Sequence, residues 1–397
     1  HVDVVNSAIR LRGNIDHVNI QNCRFEHVSK GMRIECNGAM DRVFDITIAD
    51  NEILETDHGA LEVSDYGTYA GTPPLPPLDN LRILRNRIHR IGQRGFPPHC
   101  HGHAVIVNFP QTAEIAGNIL SRTWGSGLFI FGGKPSGDAN REIPLTRIFI
   151  HHNRLEDSLL TCNDWGGIET WQGGPFYVYN NISANPGGFW YPSHRWNIGK
   201  PASQRTFSTA RLGFAFYLDG SYKNYLFNNV SWGKNNDLTS PLCNASAFYA
   251  AGSFENIYAN NTVYKFGCAF GRAGDRSGRN QYLGNLHIDL SDWVYHTSTA
   301  GAITNDYDYR NLAFARNLYQ ELPRNFGRFE RNLADYTTFT AFQTALSNRH
   351  VLSSQLGKIE SASPVRDAAS HDFHLDTGSS AIDYGVKSFA PWALSRV

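Results

Sequence analysis

The chain has 397 residues, with 36 basic and 36 acidic side chains, 41% hydrophobic content and 18% charged content, a balance that suits a folded protein and excludes a disordered one. The cancelled charge gives no global positive field to attract nucleic acid, and no apolar run approaches the ~20 residues of a membrane-spanning helix. Partners are expected to be neutral or weakly charged, and 18 Tyr and 8 Trp offer flat amphipathic surface that fits sugar faces as well as a core.

The sequence starts at His1 with neither an initiator Met nor a charged-then-apolar leader, as a mature secreted product or an incomplete N-terminus would. Its six Cys are scattered without a CxxC pair, so no zinc or redox motif is expected. From "ITIADNEI" onward one pattern recurs: apolar, any, apolar, any, any, Asn, any, usually apolar. Its Asn are Asn51, Asn86, Asn118, Asn153, Asn181, Asn229, Asn261, Asn285 and Asn317, mostly 24 to 35 residues apart with one gap of 48. Short alternating strands broken by Gly and Asn at such a period exclude helical repeats and predict an all-β fold, a right-handed parallel β-helix solenoid. Stacked at one turn, the Asn amides can bond to their copies above and below, so their role is structural.

A second strand follows each Asn turn: "GALEV" (59–63), "HAVIV" (103–107), "GLFIF" (127–131), "GIETW" (167–171), "AFYLD" (215–219), "AFYAA" (247–251) and "CAFGR" (268–272). Long insertions at 67–80, 92–103, 132–144, 186–210 and 233–246 are expected to collect on one face and build a cleft there. The solenoid is assigned to residues 1–325. Residues 326–397, with a predicted amphipathic helix at 337–346, form a C-terminal flanking cap.

Strand alternation locates the candidate site. In "GIETW" a lone buried carboxylate is costly, so Ile168 and Thr170 are placed inward and Glu169 and Trp171 outward. In "FAFYLDG", Phe214, Phe216 and Leu218 are placed in the core, with Ala215, Tyr217 and Asp219 on the outer face. Aligned coils set Glu169 beside Tyr217 and Trp171 beside Asp219, with the two carboxyls about 5 to about 10 Å apart, which spans both retaining and inverting glycosidase geometries. Asp164, at the turn into the strand, can fold over the groove or cap the Gly166-Gly167 bend. The same outer face gains Phe129 and Phe131, then His103 with Val105, and His101 at the mouth. His residues at alternate positions can share a face and hold a metal, but hydrogen-bonding roles in a polar cleft are the expectation, and no metal site is assigned. Trp165, Trp171, Tyr217, His101, His103, Trp190, Tyr191, His194 and Arg211 are the candidate substrate-binding residues.

The ladder turns, the Asp-then-"GGI" segment of "DWGGIETW", the "YLDG" coil at 217–220 and the closing "DFHL…SAIDYG" resemble the right-handed parallel β-helix glycoside hydrolases, in particular the family with members active on fucosides and xylans. That resemblance spans nearly the whole chain and is mostly architectural. It implies a secreted, extracellular or periplasmic enzyme that cleaves a polysaccharide or oligosaccharide with two acids on consecutive coils, which by motif fall on Asp164 and Asp219. Strand register instead nominates Glu169 and Asp219. The chain departs from the family in "GGIETW" and in the long insertion after Gly188. Two rivals stand beside the hydrolase: a lyase or epimerase of the same fold, using a cation such as Arg211 or Lys223 and calcium, and a glycan-binding surface or spike protein without turnover. No organic cofactor is implied; calcium is the one ion left open.

Overall fold

The computed structural model describes residues 7–36, 41–64, 78–94, 102–133, 146–162, 164–188, 201, 203, 213–233, 246–273, 278–297, 312–328, 334–349 and 351–388. The chain winds as a parallel β-helix. Three parallel sheets of 11 strands each stack coil upon coil, every strand pairing with its counterpart in the coils before and after. Sheet A runs from Ser7–Arg12 to Asn325–Gly327, sheet B from Ile15–Gln21 to Leu352–Ser354, and sheet C from Arg24–Glu26 to Gly357–Glu360. Sheet C is the strand that the sequence pattern does not separate: it is the apolar tail immediately after each ladder Asn.

The corner between sheets B and C is made by two residues, one left-handed and the next the ladder Asn. Asp50, Arg85, His152, Asn180, Asn228, Asn260 and Arg316 all lie at φ between 52° and 56°, with glycines at 117 and 284. That conformation costs about 1 kcal/mol for a residue with a Cβ, least for Asn and Asp, which explains the Asn-Asn pairs in the sequence. The ladder offsets it. Asn153 donates from both its backbone N and Nδ2 to Asn181 Oδ1 at 3.0 Å, and Nδ2 also reaches Ile115 O at 2.8 Å. The same pair of bonds links every neighbouring pair from Asn51 to Asn317. A second ladder, Asn224–Asn256–Asn280, stands at the entry to sheet B. Its signal in the sequence is an Asn five positions before the ladder Asn of the same coil.

At the corner into sheet A the strict alternation slips. Ala60 and Leu61, Ala104 and Val105, Ala215 and Phe216, Ala247 and Phe248, and Ala269 and Phe270 are consecutive pairs that both point into the core. Ala104 O accepts from the backbone N–H of both Ala60 and Leu61, at 2.8 and 3.0 Å, so one residue is absorbed without advancing the ladder. Only a small residue fits first: a Cβ on Gly127 would meet Leu155 Cδ2 at 2.4 Å, and one on Gly167 would meet Ser183 Oγ at 2.5 Å. Two expectations are corrected by this slip. Ala215 lies in the core and Phe214 outside it, stacked on Tyr249 at 4.2 Å, and Val105 points inward while Ile106 takes the outer place.

The core is aliphatic in the early coils (Ile46, Ile83, Ile115, Ile150) and aromatic in the later ones (Phe216, Phe248, Phe270, Phe314). Helix Phe339–Asn348 is N-capped by Thr338 and buries Phe342 and Leu346 against that end of the core. The sheets run on past residue 325: strands Leu352–Ser354 and Gly357–Glu360 pair with the preceding coil. Residues 365–388 then turn back along the outside of sheet C. There Val365, Phe373, Ala381 and Tyr384 cover Trp232, Tyr264, Leu286, Ile288 and Leu318. Among the described residues, no helix is long and apolar enough to cross a membrane.

Every long connection that interrupts the described chain enters or leaves sheet A, whereas the corners between sheets B and C keep their two-residue form. Sheet A is the face that the insertions flank.

Candidate active site

Two files of outward side chains run along sheet A, parallel to the solenoid axis. The first reads Ile106, Phe129, Glu169, Tyr217, Tyr249, and the second Asn108, Phe131, Trp171, Asp219, Ala251, Ala273. Glu169 therefore stands opposite Tyr217, and Trp171 opposite Asp219, as the aligned sequence predicts. The files differ in access. Phe129, Glu169 and Tyr217 are buried, while Trp171, Asp219, Ala251 and Ala273 are half-exposed. Along the second file the side chains step down from the Trp171 indole on one side of Asp219 to Ala251 and Ala273 on the other.

Glu169 points outward as expected but does not reach solvent: it is 1% exposed. Rings close over it. His103 stacks on Phe129 at 4.9 Å, Trp165 stands edge-on to both at 4.6 and 5.5 Å, and Trp171 tilts against Phe129 at 6.2 Å. Both hydrogen bonds to the Glu169 carboxyl fall on Oε2, from Gly166 N at 3.0 Å and Ser126 Oγ at 3.3 Å. Burial pushes this carboxyl well above the usual carboxylate range; the charges of Asp219 and Asp164 push the same way, against the Gly166 N–H and the Ser126 hydroxyl. Burial therefore favours the protonated form of the Glu169 carboxyl. Burial, then the neighbouring Asp164, Asp219 and Glu169 carboxyl groups, raise the Tyr217 phenol well above its ordinary value too.

Asp164 is exposed, at φ 67°, in the turn into strand Trp165–Gly173. Its charge and that of Asp219 both act on Glu169 and on Tyr217, so the three carboxyl groups share one electrostatic neighbourhood. Asp164 is exposed and Asp219 half-exposed, whereas Glu169 is buried.

His103 requires a correction. It is fully buried, its Nδ1 accepts the backbone N–H of Ser126 at 3.0 Å, and it supports Phe129 and Trp165 from below, so it does not line the surface. With Nδ1 accepting, Nε2 carries the ring proton. Ser126, which the sequence reading passes over, proves to be the link between His103 and Glu169. Its only signal is its place before the small-then-large pair Gly127-Leu128, one coil above "GGIETW". His101, Trp190, Tyr191, His194 and Arg211 lie outside the described residues. Among the described residues, no group of three or more His, Cys, Asp or Glu is placed to hold a metal ion. No protein-family model matches the chain, and no curated protein does.

Proposed function

We propose that the outer face of sheet A around Asp219 is the site of a glycoside hydrolase, in which Asp219 and Asp164 are the working carboxyl groups. The observation that carries this is two carboxylates outside the core, Asp164 in the turn before strand Trp165–Gly173 and Asp219 beside Trp171 on the next strand, both of which act on one buried acid. One aspartic acid would protonate the leaving oxygen while the other acts as base or nucleophile at the anomeric carbon. The half-exposed Trp171 would form the wall of a sugar subsite, and Ala251 and Ala273 its floor.

Charge supports a neutral glycan over a uronate. On strands Leu128–Phe131, Trp165–Gly173, Gly213–Ser221 and Ser246–Ala251 the only charged residue types are Glu169 and Asp219, both acidic; Arg272 on the following strand is buried and donates to Thr297, and Arg211 lies outside the described residues. A lyase acting on uronates needs a cation to neutralise the sugar carboxylate. Lys223 instead sits beyond the strand end, 3.9 Å from Glu255.

The test is reducing-sugar release from a panel of neutral and acidic polysaccharides. Wild-type protein is expected to act on a neutral one, and Asp219→Asn and Asp164→Asn to lose roughly 10²- to 10⁴-fold in kcat while still binding the glycan. Release of unsaturated uronates would identify a lyase. Unimpaired glycan binding with no turnover across the panel would identify a display protein.

A further inference from the structure

Glu169 is a buried group that the aspartate pair does not explain. It occupies an outward position in the strand that carries the site, between Phe129 and Tyr217 on the neighbouring strands, yet it is buried. The neighbouring members of the same file, Ile106, Phe129, Tyr217 and Tyr249, carry no charge, and Glu62 further along it is ion-paired with Lys30 and Arg33, whereas the bonds to Glu169 come from neutral donors. The chain holds a carboxyl group there with dedicated donors. Gly166 and Ser126 bind Oε2, and Ser126 is itself fixed by its N–H to the buried His103. Oε1 is left for the proton.

We propose, on the footing of the hydrolase described above, that Glu169 is a positioning residue for Asp164 and Asp219: its buried carboxyl group, held by Gly166 and Ser126, stands one strand from Asp219 and behind the turn that carries Asp164, and its ionisation switches the site off. Asp164 and Asp219 are the charged groups that act on it. Among the described residues, the other titratable groups around it are Tyr217 from the next coil, Tyr249 beyond that, and His103 from two coils above. The sheet C strands behind it present Leu155 and Ser183, neither of which titrates. While Glu169 is neutral, the two aspartates meet a dipole instead of a third negative charge. When it loses its proton, like charges crowd one low-dielectric pocket and drive the aspartates apart or into the wrong protonation state.

Glu169→Gln tests this, because its amide is isosteric, neutral at every pH, and still able to accept from Gly166 and Ser126. Wild-type kcat/KM is expected to fall on an alkaline limb, and E169Q to keep the acid-side rate while that limb moves up by about one pH unit or more. Glu169→Asp is expected to keep an alkaline limb with a lowered kcat, since it titrates but reaches less far. Superimposable profiles for wild type and E169Q would overturn the proposal and leave Glu169 a packing residue. Infrared difference spectra of the full chain at neutral pH give a readout independent of turnover. A protonated-carboxyl stretch lost in E169Q upholds the neutral acid even if no polysaccharide is cleaved, in which case the hydrolase itself fails. An ionised carboxylate there overturns the proposal.

Discussion

At the scale of single residues, the least satisfied group among those described is His287, set in the core between Val263 and Tyr319. Neither of its ring nitrogens has a hydrogen-bond partner; the ring stacks on Tyr319 at 5.0 Å and meets Phe270 edge-on. Burial pulls its pKa down to about 3 from an ordinary 6.5. Unfolded chains therefore take up a proton below pH 6.5 that the folded chain refuses, and stability falls as pH drops from 6.5 towards 3. The loss at pH 4 is roughly 3 kcal/mol from this residue. His287→Leu is expected to raise stability at neutral pH by about 1 kcal/mol or more and to flatten the acid dependence, read by urea melts at pH 7 and pH 4. A variant as acid-sensitive as wild type would show that another group governs the slope. Glu169 works in the opposite sense, because a carboxyl held above its unfolded value costs stability as pH rises through the carboxylate range.

At the scale of elements, the site depends on how closely two strands approach. A Cβ on Gly166 would stand 2.7 Å from Tyr217 Cβ and 2.8 Å from Ile168 O, and neither atom is a flexible side-chain end that could yield. Gly166→Ala must therefore part the strands beside the N–H that holds Glu169 Oε2. The expected cost is about 1 to 3 kcal/mol of stability. Activity on the responsive glycan should fall by more than tenfold, about 1.4 kcal/mol in the barrier. Gly378→Ala, where an added Cβ meets nothing within 4 Å, is the matching control and should melt and turn over like wild type. Equal activity in both variants would mean that strand spacing does not matter to the site. The element-level logic was half legible in the sequence. Alternation placed Glu169 opposite Tyr217 and Trp171 opposite Asp219, because a period of two leaves no other register once Ile168 and Phe216 are inward. Alternation could not show the slip at Ala215, where a backbone bulge hides a residue. Nor could it show the burial of Glu169, which is made by His103, Phe129 and Trp165 from two other coils and a turn.

At the scale of the whole molecule, the two halves of the solenoid are dressed differently. The outer faces of the early coils carry ion pairs across rungs, such as Arg24 with Glu52, Arg85 with Asp50 and Arg94 with Asp57, each exposed enough to contribute little on its own. From Ala184 onward the outer face of sheet C is apolar instead and is covered by residues 365–388. That strap is pinned by backbone acceptors: Arg316 donates to Tyr384 O at 2.6 Å and Asp383 O at 2.8 Å, and Asn260 donates to Val386 O at 2.7 Å while accepting from its N–H at 2.9 Å. The nine-Asn ladder made the solenoid readable from sequence because one polar requirement repeats at every coil. The strap was not readable as such, since its "DFHL…SAIDYG" has no repeat and its hydrogen-bond partners Arg316 and Asn260 lie 67 to 126 positions away. Its apolar anchor is Phe373, stacked on Trp232 at 5.6 Å and edge-on to Tyr264 at 5.7 Å. Phe373→Ala should cost about 1 to 3 kcal/mol, less than a full core truncation because the ring is only half-buried. The loss should appear locally, as faster hydrogen exchange at Val230–Trp232 and Thr262–Tyr264 and as new binding of an apolar dye, with the early coils unchanged. Leu375, exposed on the same strand, should be silent when changed to Ala. If Phe373→Ala instead loosens every coil equally, the strap is part of one cooperative unit with the solenoid, and independent rungs are the wrong description of its stability.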